Sequence, residues 1–310
     1  MMKTLLIMIL LSSSLIAGTS DFKSHFFING KAATSHHVMV MPGVPVLVEV
    51  YFTNPKTGLI YTDFKLMHGK YMHMVVAKKD LSEFKHVHPY FDPTTGRFSL
   101  TLNLPYQDPD NQDVATSIKT PGMFMVMTDV IVKGVGMRMD HIMLHAHGNT
   151  TTQALIADSE TNGVITKFFK RDNESIPTYK TIFSHRKITG CSGSIVSFEI
   201  EVFKHNGTDY IEMIDFQPWL SEAAHSVWLS ENFMSSMGSN MPFAHMHSPF
   251  ILGEEDEEET VYDHILRFNF HDQSQMKPGL QKMWIQFKDN NKIMKIPFIF
   301  EYKPATVTGC

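Results

Sequence analysis

The sequence predicts an all-β chain of two tandem β-sandwich domains, and three observations predict it. Short runs rich in β-branched and aromatic residues recur throughout: "PVLVEVYF", "HMVVA", "RFSLTLNL" and "FMVMTDVIV" early, "IVSFEIEVF", "ILRFNF", "MWIQF" and "IPFIFEY" late. Turn signals such as "NPKTG", "DPTTG", "HNGT" and "KDNN" separate them, and no long stretch carries a helical period. A block of chain also occurs twice, which is the mark of a tandem repeat.

The first element is "MMKTLLIMILLSSSLIAGTS". Lys3, an apolar run from Leu5 to Leu11 and small residues near Ala17–Ser20 have the layout of a signal peptide over residues 1–20. The run is too short to cross a bilayer comfortably, an uncleaved anchor being the alternative, and no other stretch approaches membrane length. The expectation is a secreted or periplasmic protein that is not membrane-spanning, with a mature chain starting near Thr19–Asp21. The first sandwich is expected over residues 24–148 and the second over 176–303. Residues 149–175 read as a polar connector or edge strand, and 304–310 as a tail.

Composition removes some partners. The net charge is −5 and no Lys/Arg-rich block occurs, which excludes a nucleic-acid partner. The cysteines are Cys191 and Cys310, too few for a zinc finger; they either pair in an oxidising compartment or stay free. Asn149, Asn173 and Asn206 head glycosylation triplets, and "EEDEEE" (Glu254–Glu259) reads as a solvated loop. No nucleophile elbow, phosphate loop or nucleotide fingerprint appears, so no catalysis is expected.

The duplicated block carries histidines. "HMVVAKKDLSEFKHVHP" begins at His73 and "HSVWLSENFMSSMGSNMPFAHMHS" at His225. His73 and His86 are 13 residues apart, and so are His225 and His245 once the insert "MSSMGSN" is removed. Downstream, "PGMFMVMTDV" parallels "PGLQKMWIQF", so that Asp129 corresponds to Gln286. Side chains at i and i+2 share a strand face, so His86 and His88 stand side by side. If the hairpin turns between Asp80 and Leu81, His73 lies opposite His88 on that face; a one-residue slip would separate them. His225, His245 and His247 stand in the same relation. The spacing fits two readings: a metal site, or histidines that hydrogen-bond within the hairpin and fix its register. His68 is a candidate fourth ligand of the first set, which would then bind the better of the two; its counterpart is Leu220. The chain has 22 Met and 17 His, and thioether and imidazole together suit copper. In "MRMDHIMLHAHG", His141, Met143, His145 and His147 share one face, as on an exposed edge strand or a soft-metal site.

"MHMVVAKKDLSEFKHVHP" followed by "PGMFMVMTDV" resembles a group of exported bacterial proteins with a Met-His, Asp-Leu, Phe, His-x-His-Pro, Pro-Gly signature. "FQPWLSEAAHSVWLSEN", "FAHMHS" and "PGLQKMWIQFKDNNKIMKIPFIFEY" resemble the companion domain found with it. The resemblance spans most of residues 40–302. It implies a cupredoxin-like or immunoglobulin-like fold and the handling of copper or another heavy metal. Carried over residue by residue, it implies His73, His86 and His88, then His225, His245 and His247. Ser248 replaces the proline after His247, the second hairpin carries the Met-rich insert, and "YQDPDNQDVATSIKT" interrupts the first copy. Neither Pro-Gly strand carries a cysteine, so a blue-copper centre is not expected.

The expectation is thus an exported, non-enzymatic protein whose partner is a metal ion, copper before zinc. Two rival readings are a structural module that binds a protein partner and a copper-dependent redox enzyme.

Overall fold

The computed structural model describes residues 21–34, 37–102, 118, 120–150, 152–170, 176–184, 196–235, 243–249, 263–270 and 276–303. The stretch expected to be a signal peptide, both cysteines, the acidic run, the Asn173 triplet, the C-terminal tail and all but Met234 and Ser235 of the Met-rich insert lie outside the described residues.

The first half folds into β1 (Lys23–Ile28), β2 (Lys31–Ala32), β3 (His37–Val40), β4 (Val46–Thr53), β5 (Phe64–Lys65), β6 (Met72–Lys78), β7 (Phe84–Val87), β8 (Tyr90–Asp92), β9 (Arg97–Leu102), β10 (Gly122–Val132) and β11 (Gly136–Ala146). The second half adds β12 (Glu160–Thr161), β13 (Val164–Phe169), β14 (Tyr179–Ser184), β15 (Val196–His205), β16 (Tyr210–Glu212), β17 (Ala224–Ser230), β18 (Phe243–Ser248), β19 (Ile265–Phe270), β20 (Gly279–Asp289) and β21 (Lys292–Tyr302). Each of the eight runs singled out in the sequence forms a strand. β12 and β13, from the stretch read as connector or edge strand, lie at one edge of a second-half sheet.

The described strands form four sheets. The first half has an outer sheet ordered β2-β1-β4-β9-β8 and an inner sheet ordered β3-β11-β10-β6-β7. The second half has an outer sheet ordered β12-β13-β14-β15-β16, to which β19 pairs through β15, and an inner sheet ordered β18-β17-β20-β21. Read from the other edge, the second inner sheet repeats the order of the first: β11, β10, β6, β7 match β21, β20, β17, β18. The sequence repeat is therefore a repeat of architecture.

Burial shows how the sheets stack. In the outer sheets β9 and β14 alternate between buried and half-buried residues, because one face meets the core and the other meets solvent. β6 and β17 are buried at all seven positions. A strand buried on both faces needs a layer on each side. One side is the core of its own sandwich, around Val48, Phe98, Met74 and Val126 in the first half and Ile200, Phe268, Phe287 and Phe298 in the second. The other side is the opposite half. Val75, Ala77, Phe84, Met125 and Met127 of the first inner sheet form one buried cluster with Val227, Leu229, Phe243 and Trp284 of the second. The layers run outer, inner, inner, outer.

The junction is anchored by Phe84 lying flat on Trp284, with ring centroids 4.2 Å apart and planes 11° apart. Lys282 crosses the junction to donate from Nζ to the Leu81 carbonyl at 2.7 Å, and burial holds its pKa below the usual lysine range. Phe84→Ala removes a buried ring that both halves share. It is expected to lower unfolding stability by about 3–5 kcal/mol, read from urea denaturation. An unchanged midpoint would show that the two halves do not depend on this contact.

Candidate metal centre

The histidines occupy the junction face, and strand periodicity puts them there. On β6, His73 shares a face with Val75 and Ala77; on β7 and just beyond it, His86 and His88 share one with Phe84. The observed register pairs Met74 with Val87 and Val75 with His86, which extended by one residue sets His73 opposite His88. The hairpin thus adopts the register that keeps the three together. In the second half His225 pairs directly with His247. In each triad one ring nitrogen per histidine lies within 4.8 Å of the others. Asp129 pairs with His73 across β10 and β6, and Gln286 with His225 across β20 and β17.

Hydrogen bonds orient the first triad. His73 Nε2 donates to the Met67 carbonyl at 2.9 Å, and His86 Nδ1 is hydrogen-bonded to the Gln286 side-chain amide at 3.1 Å. His73 Nδ1 and His86 Nε2 lie 3.0 Å apart and share one proton in a hydrogen bond, which an ion bound to both nitrogens would replace. Anchoring the far ring nitrogen on a carbonyl or amide oxygen is also how metal-binding histidines are held in orientation.

The second triad is built differently. His225 Nδ1 and Nε2, His245 Nε2 and His247 Nε2 are buried with no hydrogen-bond partner among the described residues. Each such group costs about 1–3 kcal/mol if left unsatisfied. His245 Nδ1 lies 3.9 Å from Asp129 Oδ2, and Asp129 Oδ1 is likewise buried without a hydrogen-bond partner among the described residues. The outer support is therefore crossed. Gln286 of the second half holds a first-half histidine, and Asp129 of the first half faces a second-half histidine.

His68 lies with the second triad and not, as its sequence position suggests, with the first. Its ring stacks on His247 at 3.4 Å, against 6.4 Å to His73. The cause is a tight turn. Met67 bridges Lys70, and both central residues, His68 (φ 48°) and Gly69 (φ 78°), are left-handed, which swings the side chain across the junction. The matching turn, Trp219 to Glu222, has Leu220 and Ser221 left-handed. His68 Nδ1 donates to Glu222 Oε1 at 2.6 Å, joining the two turns at the site's least buried edge. Trp219 packs edge-on against His225 at 4.4 Å. Sequence reasoning missed Trp219 and Glu222. The alignment of "LMHGKYMH" with "PWLSEAAH" was the signal that could have found them.

His141 departs from one of its two expected readings. β11 is an interior strand, paired with β10 on one side and parallel to β3 on the other, so it is not an exposed edge. His141 and Met143 are 4% and 2% exposed. They face the junction beside Met127 and Met125, outside both triads.

Burial sets the charge state. His73, His86 and His225 are held well below the ordinary histidine pKa, first by loss of water and then by neighbouring imidazoles. His247 is lowered by the same causes. All four are neutral at pH 7, the form that ligates a metal.

No family model and no curated protein matches the chain. Among solved structures it is similar to an Escherichia coli alpha-2-macroglobulin activated by porcine elastase, at 10% identity and a TM-score of 0.22. That match covers 91% of this chain and 20% of the other, so the chain spans about a fifth of its length.

The lowered pKa values predict acid sensitivity. Below about pH 6.5 the unfolded histidines take up protons that the folded ones refuse, so stability falls as pH falls. The loss is up to about 1.4 kcal/mol per pH unit for each of the four, and it vanishes above about pH 7.5. Thermal melts of chelator-treated protein between pH 8 and 5 should show this decline. A flat melting temperature between pH 7 and 5 would contradict the burial of neutral imidazoles.

Proposed function

We propose that the chain is an exported, non-enzymatic metal-binding protein that handles copper through its two histidine triads. The observation that carries this reading is the convergence of two histidine triads, in each of which one ring nitrogen per histidine lies within 4.8 Å of the others. A cation would also satisfy the buried nitrogens of His225, His245 and His247 that find no hydrogen-bond partner among the described residues. Imidazole ligands suit copper and zinc alike. Copper is preferred because Met125, Met127 and Met143 share the junction face and supply soft sulfur nearby, and because the resemblance in the His-x-His-Pro and Pro-Gly motifs points the same way. Burial of His73, His86, His88 and His225 to between 0 and 3% exposure supports holding an ion over turning over a substrate.

The test is stoichiometry. The mature chain is loaded separately with Cu(I), Cu(II) and Zn(II), and compared with His86→Ala/His88→Ala. The double variant is expected to lose at least one bound equivalent, and equal metal content in the two proteins would sink this reading. The export half of the proposal is checked by mass spectrometry of secreted material. A mature N-terminus near Thr19–Asp21 is expected, and retention of the leader would contradict it.

A further inference from the structure

Resting on that reading, we infer that the two triads form one dinuclear centre, with Asp129 as the anionic group shared between its two ions. Distances between the triads carry this. The His73–His245 and His86–His245 ring centroids are each 4.7 Å apart. Within the first triad His73–His88 and His86–His88 are each 4.9 Å apart. Rings from opposite halves are thus as close as rings within one half, so nothing walls one triad from the other. Two ions on these ligands occupy one chamber, as in paired-metal sites where the ions sit about 3.5–4 Å apart.

Asp129 is placed to serve both. It is the cross-strand neighbour of His73 and lies 3.9 Å from His245, so it stands between a histidine of each triad. It is 3% exposed, and its Oδ1 accepts no hydrogen bond among the described residues. A buried carboxylate in that position calls for a cation. The equivalent residue of the second half is Gln286, whose amide carries no charge and instead anchors His86. The duplicated position has therefore diverged into one carboxylate for charge and one amide for orientation. His68, expected to complete the first triad, stacks on His247 of the second, and Asp129 reaches His245 of the second as well. The second triad is the better supplied of the two and fills first.

The full mature chain is loaded with Cu(II) and its metal content compared with its integrated paramagnetic resonance intensity. Two bound ions with an integrated signal well below two spins, and a half-field line, are expected. Two ions at full intensity would mean separate sites and would overturn the inference. One ion would overturn it too while leaving metal binding standing; no ion would remove the functional reading as well. Asp129→Asn keeps shape and removes charge. It should weaken binding of one equivalent by about tenfold or more, while the melting temperature of the metal-free protein holds or rises. A fall in that melting temperature with two coupled ions retained would assign Asp129 a structural role only.

Discussion

The contact between His73 Nδ1 and His86 Nε2, hydrogen-bonded at 3.0 Å in a place without solvent, is the one around which the rest of the site is arranged. Each ring is also held on its far side, His73 by the Met67 carbonyl and His86 by the Gln286 amide, so neither can rotate without breaking a buried bond. Water cannot replace those bonds, because His73 and His86 are 1% and 3% exposed. Adding a proton to either ring is disfavoured by the same burial and by neighbouring imidazoles. The fold thus holds neutral, oriented imidazoles together, the form that a cation would need.

The fold can hold it because both inner sheets are covered on both faces. The histidines lie on the same strand faces as Val75, Phe84, Val227 and Trp284, so the packing that joins the halves also excludes water from the site. Crossed support makes the dependence mutual. Gln286 orients a histidine of the other half, and Asp129 faces one in return. An ion bound here would stabilise the native stack, since the unfolded chain has no such site. The nitrogens of His225, His245 and His247 that find no hydrogen-bond partner among the described residues are a stability cost, and the apolar junction offsets it.

Much of this was legible in the sequence, for definite reasons. Strand periodicity alone put His86 and His88 on one face, and duplication placed a matching pair at His245 and His247. The register of His73 was conditional on the turn near Asp80 and Leu81, and it is met: Leu81 itself takes a left-handed conformation (φ 57°) there. What the sequence could not supply was the docking of the two inner faces. The second triad could therefore be found but not placed against the first, and His68 was assigned by proximity in the chain. Its left-handed turn redirects it across the junction. Burial of β11 was hidden for a related reason. Nothing in "MRMDHIMLHAHG" signals that β3 returns to pair alongside it in parallel.

X-ray absorption on the copper-loaded protein tests the central claim most directly, because it reports the ligand shell itself. The account predicts a shell of nitrogen at about 2.0 Å with the outer scattering of imidazole rings. A shell dominated by sulfur, or one of oxygen without ring scattering, would contradict it.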